Sequence, residues 1–178
     1  MAKAPKVERV ICYSLISILR PLKVRWATQV KLYYLKKWGA NFKGTPQYIS
    51  SYCDLDGTDY SLFTFGEGVT ISSYVRLLTH DWSPYTVGKA LGITTDSPLG
   101  KIEPIEIGEY SFVGTGSIVM PGTTIGVGCI VGAGTVVRGK IPDYSIVIGS
   151  PCAVVGDVRN HIAKNYPEFA EMAVGDSK

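Results

Sequence analysis

The chain has little of what a metal centre needs. It contains two histidines, His80 and His161, and its cysteines show no CxxC spacing. The four cysteines are Cys12, Cys53, Cys129 and Cys152. Because zinc sites are built from clustered His and Cys ligands, we expect no metal in this protein. Unpaired thiols of this kind are typical of a reducing compartment.

Long hydrophobic runs are also missing. No stretch reaches the roughly 20 apolar residues that a membrane-spanning helix needs. The apolar segment 10–19 follows basic residues, as in a secretory signal peptide, but it contains Ser14 and Ser17. It continues into Arg20-Pro21 rather than into a small-residue cleavage site. We therefore expect a cytoplasmic protein, either free or peripheral on the inner face of the membrane.

Only 19% of the residues are charged and 46% are hydrophobic, which excludes a disordered chain. The charge is unevenly distributed. Residues 1–43 hold ten Lys or Arg and one acid, a net charge of +9, whereas the remainder has eight basic and fourteen acidic side chains, a net charge of −6. The apolar spacing of residues 5–38 predicts two helices separated near Pro21. Two interpretations of this basic helical region stay open: a cap on the rest of the fold, or a membrane-surface contact.

A period of six residues dominates the second half of the chain. An aliphatic residue falls at every sixth position: Ile107, Val113, Val119, Ile125, Val131 and Val137. Neither a helix nor an ordinary strand has this period, but a coil with three flat faces does. The pattern predicts a mainly β protein, a parallel β-helix over residues 44–156. Phe65 lies 42 residues before Ile107, a multiple of six, so both blocks share one register.

The intervening stretch 83–103 has no six-residue pattern and is rich in Pro and Gly, which predicts a long loop leaving the coil. The pattern from Val158 to Met172 predicts a short closing helix, interrupted near Pro167. The expected domains are a basic helical N-terminal region at 1–43, a β-helix domain at 44–156 and a C-terminal helix and tail at 157–178.

Several motifs resemble the hexapeptide-repeat acyltransferases. They are the hexads, a histidine placed just before a loop, and the ending Gly132-Ala133-Gly134-Thr135-Val136-Val137 followed by Gly149-Ser150-Pro151-Cys152. The chain is most similar to sugar O-acetyltransferases of the maltose/galactoside and capsule/lipopolysaccharide type. The resemblance implies a left-handed β-helix, a homotrimer, and acetyl-CoA as co-substrate in the groove between neighbouring subunits. The zinc carbonic anhydrases share this fold but need three histidines, more than this chain has.

The resemblance assigns the catalytic base to His80, which spacing alone would leave as a structural or surface residue. Neutral imidazole, with an ordinary pKa of about 6.5, suits removal of a hydroxyl proton. Its second nitrogen should donate to a carbonyl or carboxylate. Asp81 is a second catalytic candidate, with turn capping as the alternative. Asp59, Trp82 and Tyr85 are candidates for binding the acceptor, and each has a plain structural alternative.

The same resemblance implies which residues contact acetyl-CoA. Small residues keep the wall of the groove low, and cations contact the phosphates. The candidates are Gly114, Thr115, Gly132, Ala133, Arg138 and Lys140. For each glycine, a corner role in the fold is an equal alternative.

The sequence therefore predicts an acetyl-CoA-dependent O-acetyltransferase of capsule, O-antigen or exopolysaccharide assembly. Its acceptor is a saccharide, either soluble or lipid-linked, and we expect no nucleic-acid partner. N-acetylation of an amino sugar or acetylation of a xenobiotic is one alternative. A non-catalytic trimeric scaffold is another.

Overall fold

The computed structural model describes residues 4–169. Two helices begin the fold, α1 (Lys6–Leu22) and α2 (Val24–Lys37). The extended backbone of Lys23 separates them, two residues after Pro21, close to the predicted break. Gly39 follows α2 with φ +96, a conformation that glycine adopts without strain and that turns the chain into the β region.

The β region forms three parallel sheets that the chain visits in turn. The first sheet contains β1 (Asn41–Phe42), β4 (Phe63–Phe65), β9 (Ile105–Ile107), β12 (Thr124–Ile125) and β15 (Lys140–Ile141). The second contains β2 (Tyr48–Ile49), β5 (Thr70–Ile71), β10 (Phe112–Val113), β13 (Ile130–Val131), β16 (Ser145–Ile148) and the antiparallel β17 (Ala153–Asp157). The third contains β3 (Asp54–Leu55), β6 (Arg76–Leu77), β11 (Ile118–Val119) and β14 (Val136–Val137).

Register confirms the six-residue repeat. Val113 pairs with Val131 and Val119 with Val137, eighteen residues apart, so three hexads complete one turn of the coil. Phe65 pairs directly with Ile107, which confirms that both blocks share one register across the excursion. The hexad residues are 0–1% exposed and stack in columns, so each added coil extends one continuous core.

Small polar residues are buried beside these columns, a feature that the sequence analysis missed. The Ser111 hydroxyl donates to the Gly126 carbonyl at 2.7 Å, and the Ser117 hydroxyl donates to the Gly132 carbonyl at 3.0 Å. These bonds run between successive coils and satisfy carbonyls at the corners. A buried hydroxyl is therefore tolerated because it has a backbone partner.

The prediction of an irregular loop at 83–103 was wrong in part. Residues Ser83–Ala90 form α3, and β8 (Lys101–Ile102) pairs antiparallel with β7 (His80–Asp81). Pro84 lies near the first helical position, where proline is favoured. In a segment this short, however, the Pro and Gly residues obscure the apolar spacing by which a helix is recognised in a sequence. At the other end, α4 (Val158–Asn165) lies within the predicted helix Val158–Met172, whose last residues are outside the described part.

Helices α1 and α2 pack over the first coil. Cys12 and Ile16 of α1 and Ala27 and Leu35 of α2 are at most 2% exposed. The Lys31 ammonium donates to the Cys53 carbonyl, and the Arg20 guanidinium donates to the Ser51 carbonyl at 2.6 Å. Cations from the helices thus satisfy carbonyls of the coil's open end, which water would otherwise solvate.

The burial of Lys31 predicts a pH-dependent stability. Burial lowers the pKa of Lys31 below its value in the unfolded chain. The unfolded state therefore retains a proton that the folded state releases, and stability rises with pH between the lowered pKa and about 10.4. In urea unfolding, we expect the free energy of unfolding of wild type to rise relative to that of Lys31→Met as pH rises from 7.5 to 10. The expected rise is at most about 1.4 kcal/mol per pH unit. Parallel pH profiles of the two proteins would contradict this assignment.

Candidate active site at the edge of the third sheet

His80 lies where the chain leaves the coil. The strand β6 ends at Leu77, whose side chain is buried, and His80 follows three residues later in β7. The returning strand β8 places Ile102 opposite His80. We call the edge of the third sheet at which its strands end the His80 edge. The imidazole is therefore held between a regular coil and the base of the excursion.

A carboxylate from the coil below holds the imidazole. His80 Nδ1 lies 2.8 Å from Asp56 Oδ2, and the two side chains are 33% and 15% exposed. The other carboxylate oxygen, Oδ1, accepts hydrogen bonds from the backbone N–H of Thr79 at 2.8 Å and from the Thr79 hydroxyl at 2.7 Å. With Nδ1 donating to Asp56, the Nε2 lone pair of neutral His80 is available to accept a proton.

The sequence predicts a carboxylate or carbonyl on the second nitrogen of His80 but does not single out Asp56 for this role. The reason lies in the early coils, where Leu55 pairs with Leu77 at a spacing of 22 rather than 18 residues. Counting back by eighteen therefore misses the carboxylate. The Asp56-Gly57 pair also has a turn function: the chain bends after the end of β3, and Gly57 adopts a φ of +75.

Asp81 and Asp59 lie near this edge and make local caps. Asp81 Oδ1 accepts from the Ser83 N–H at 2.9 Å, at the start of α3. Hydrogen bonds from Ser83 lower the pKa of Asp81, and the positive charges of Arg138 and Lys101 contribute less. Asp59 Oδ1 accepts from the Ser61 N–H at 3.1 Å and begins the 3-10 helix Tyr60–Leu62. These contacts match the structural alternative for both residues.

Of the aromatic candidates, Trp82 is brought to the histidine. Its ring centroid lies 5.6 Å from that of His80, with the planes tilted by 41°, and it is 41% exposed. A side chain at Gly100 would collide with this indole, so the returning arm of the excursion packs closely on it. Tyr85 lies in α3 with the Lys89 ammonium 4.3 Å from its ring centroid.

The small residues expected to contact acetyl-CoA form a stack at the opposite edge of the third sheet. Thr115 and Ala133 precede β11 and β14 and are exposed. The N–H of Gly134, next to Ala133, donates to the Thr115 carbonyl at 2.9 Å. A Cβ at Gly114 would approach Ala133 N to 2.7 Å, so close stacking of the coils requires glycine there. Gly116 and Gly134 face open space. This low wall is called the Thr115 shelf.

The predicted site residues therefore divide into two groups. Gly114, Thr115, Gly132 and Ala133 lie at the entry edge of the third sheet. His80 lies at its exit edge. Of the two exposed cations, Arg138 follows β14 at that edge, and Lys140 begins β15 of the first sheet two residues later. Because parallel strands all begin at one edge and end at the other, a single chain does not bring the shelf to the imidazole.

The described residues contain neither a cluster of metal ligands nor a membrane-spanning helix. Across residues 4–169, no three His, Cys, Asp or Glu side chains come together as a possible metal site. Among the helices of that same range, none is both long and apolar enough to cross a bilayer.

Comparison with known proteins identifies the family. Residues 104–139 match the bacterial transferase hexapeptide family (six repeats). Protein CapG of Staphylococcus aureus is 32% identical over 130 residues, which cover 73% of this chain and 73% of CapG. The chain belongs to the bacterial hexapeptide transferases. The match to the family covers the hexads rather than the helices.

Two further proteins are similar, one over a shorter stretch and one at lower identity. A probable acetyltransferase of Mycobacterium tuberculosis is 52% identical over 70 residues, which cover 39% of this chain and 23% of that protein. The chain thus spans about a quarter of that relative. The structure of a galactoside acetyltransferase in complex with coenzyme A superposes with a TM-score of 0.62 at 20% identity, covering 89% of this chain and 84% of that chain. At this identity the likeness shows the shared fold.

Proposed function

We propose that this hexapeptide transferase is an acetyl-CoA-dependent O-acetyltransferase acting on a sugar hydroxyl in capsule, O-antigen or exopolysaccharide assembly. The observation that carries the proposal is the His80–Asp56 pair at the edge of a hexapeptide coil. The family match and the coenzyme A complex of the structurally similar galactoside acetyltransferase support the donor and the acceptor class.

The geometry of His80 suits general-base catalysis. Asp56 orients the ring so that Nε2 accepts the hydroxyl proton while the sugar oxygen attacks the thioester carbonyl carbon. The carbon–sulfur bond then breaks, and the departing thiolate takes the proton back from His80. Because a thiolate is a good leaving group, this direct transfer needs neither a covalent enzyme intermediate nor a metal. Asp81 contributes by fixing the chain beside the base through its bond to Ser83.

The Thr115 shelf and the two cations suit different parts of acetyl-CoA. The open space at Gly116 and Gly134 leaves room for an extended pantetheine arm along Thr115 and Ala133, beside Gly114 and Gly132. Arg138 and Lys140 are exposed and offer charge-assisted bonds to phosphates. Trp82 offers a face for stacking on a sugar ring, and Asp59 and Tyr85 lie on the neighbouring segments of the acceptor side.

The separation of shelf and imidazole favours an oligomer. In a left-handed coil assembled as a homotrimer, the His80 edge of one subunit faces Thr115 and Ala133 of the partner subunit. Each of three equivalent interfaces then completes one site, which closed cyclic symmetry allows. This arrangement accounts for the placement of the two halves of the site on opposite edges of one sheet.

The proposed acceptor is a lipid-linked saccharide, which the enzyme binds at the inner face of the membrane. The +9 charge of residues 1–43 supports a peripheral contact with anionic lipid. Cytoplasmic localisation follows from this proposal, because acetyl-CoA is the donor.

A release assay tests the proposed function. We expect free CoA to appear when the purified protein is given acetyl-CoA and a panel of saccharides, and NMR of the product to show an ester on one hydroxyl. Product acetylated only on an amino group would overturn the O-acetyltransferase assignment. Absence of CoA release with every saccharide and amine would overturn acyl transfer itself.

A further inference from the structure

Helix α1 has two apolar faces, and the coil uses only one of them. Cys12 and Ile16 face the first coil and are at most 2% exposed. The residues of the other face recur at helical spacing and remain in contact with solvent: Val7 70%, Ile11 45%, Leu15 40%, Ile18 61% and Leu22 69% exposed. These five residues are called the outer stripe. The stripe extends over roughly 22 Å of helix.

Aromatic and cationic side chains lie at the C-terminal end of this stripe. Trp26 is 53% exposed, and the Lys23 ammonium lies 4.8 Å from its ring centroid. Arg25 is also exposed, as is Lys6 at the N-terminal end of α1. Lys and Arg beside Trp and an aliphatic stripe are the combination that favours the boundary between lipid headgroups and acyl chains.

Capping of the coil does not involve these residues. The cations that bind the coil are Lys31 and Arg20, through the carbonyls of Cys53 and Ser51. The outer stripe, Lys23 and Arg25 stay exposed while these two bonds form. The helical region can therefore cap the fold and contact a second surface at the same time.

We infer that the outer stripe of α1 lies in the interface of an anionic phospholipid bilayer, with Trp26, Lys23 and Arg25 at the headgroup level. A lipid surface is favoured over a second copy of this chain because two such basic ends repel each other, whereas anionic headgroups attract them. The inference rests on the proposed function, since a lipid-linked acceptor gives the contact its purpose. It adds the surface and the orientation of the enzyme on it.

Vesicle flotation tests this inference on the full chain. Wild type is expected to float with phosphatidylcholine vesicles containing phosphatidylglycerol and to float less with phosphatidylcholine alone. Ile18→Glu is expected to lower the partition coefficient at least roughly tenfold, because a charge replaces a side chain that enters the apolar layer. Gln47→Glu, exposed on the turn between β1 and β2, makes the same change in charge outside the helix pair and is the matched control.

The outcomes separate this inference from the proposed acyl transfer. Equal flotation of Ile18→Glu and Gln47→Glu would overturn the lipid contact. A change in the oligomeric state of Ile18→Glu by light scattering, with flotation unchanged, would also overturn it and assign the stripe to another copy. CoA release with a soluble saccharide is expected to be the same in Ile18→Glu and wild type, so a loss of vesicle binding and a failure of catalysis are read independently.

Discussion

His80→Ala is expected to lower kcat for acetyl transfer by about 10²–10⁴, the usual contribution of a positioned general base. The KM for acetyl-CoA should change little, because the Thr115 shelf and the cations remain intact. The side chain is 33% exposed and follows the buried hexad residue Leu77, so its removal leaves the core in place. Initial rates of CoA release over a range of both substrates measure the two parameters separately.

His161→Ala is the matched control. His161 is the second of the chain's two histidines and lies exposed in α4, so this variant is expected to retain wild-type turnover. If His80→Ala also retained full turnover, the base would lie elsewhere. If neither variant nor wild type released CoA, the non-catalytic scaffold would become the better description.

Asp56→Asn is expected to lower kcat roughly 10²-fold or more while the unfolding midpoint stays near wild type. An amide NH₂ facing Nδ1 donates instead of accepting, which places the ring proton on Nε2 and removes the lone pair that takes the hydroxyl proton. The Asn carbonyl oxygen can still accept from the Thr79 N–H and hydroxyl, so the corner is retained. Asp56 therefore acts as a positioning residue.

Steady-state kinetics and thermal unfolding together test this role. Asp54→Asn makes the same change in charge two residues earlier on the exposed face of β3 and is expected to keep wild-type kcat. A purely structural role of Asp56 would instead lower the unfolding midpoint and leave kcat per folded molecule unchanged. That result would contradict the proposed tautomer control.

The hexads of the second half could be predicted because each position has the same environment. Val113, Val119, Val131 and Val137 are all fully buried, and their pairing follows the eighteen-residue turn. Where every coil imposes the same constraint, the period of the hydrophobic residues is sufficient to predict the register. For the same reason, the sequence separation of Phe65 and Ile107 is a multiple of six although the excursion interrupts the coil between them, and the two residues pair.

The contacts of the site could not be predicted in the same way, because they join irregular segments. The bond between Asp56 and His80 depends on a 22-residue early coil and on the turn at Thr79. Helix α3 was missed because its residues include Pro84 and Gly88 and bury no side chain against the coil. Sequence spacing shows that α1 is amphipathic, but not that the coil packs against Cys12 and Ile16 rather than the outer stripe.

Activity of mixed oligomers tests most directly whether one site is built from two subunits. His80→Ala lacks the base, and Ala133→Trp blocks the exposed shelf with a large ring, so each is expected to be inactive alone. In oligomers assembled from equal amounts of both, random pairing should place an intact His80 edge against an intact shelf at about a quarter of the interfaces, with about a quarter of wild-type turnover. Turnover no higher than that of the two separate variants would contradict a site shared between subunits.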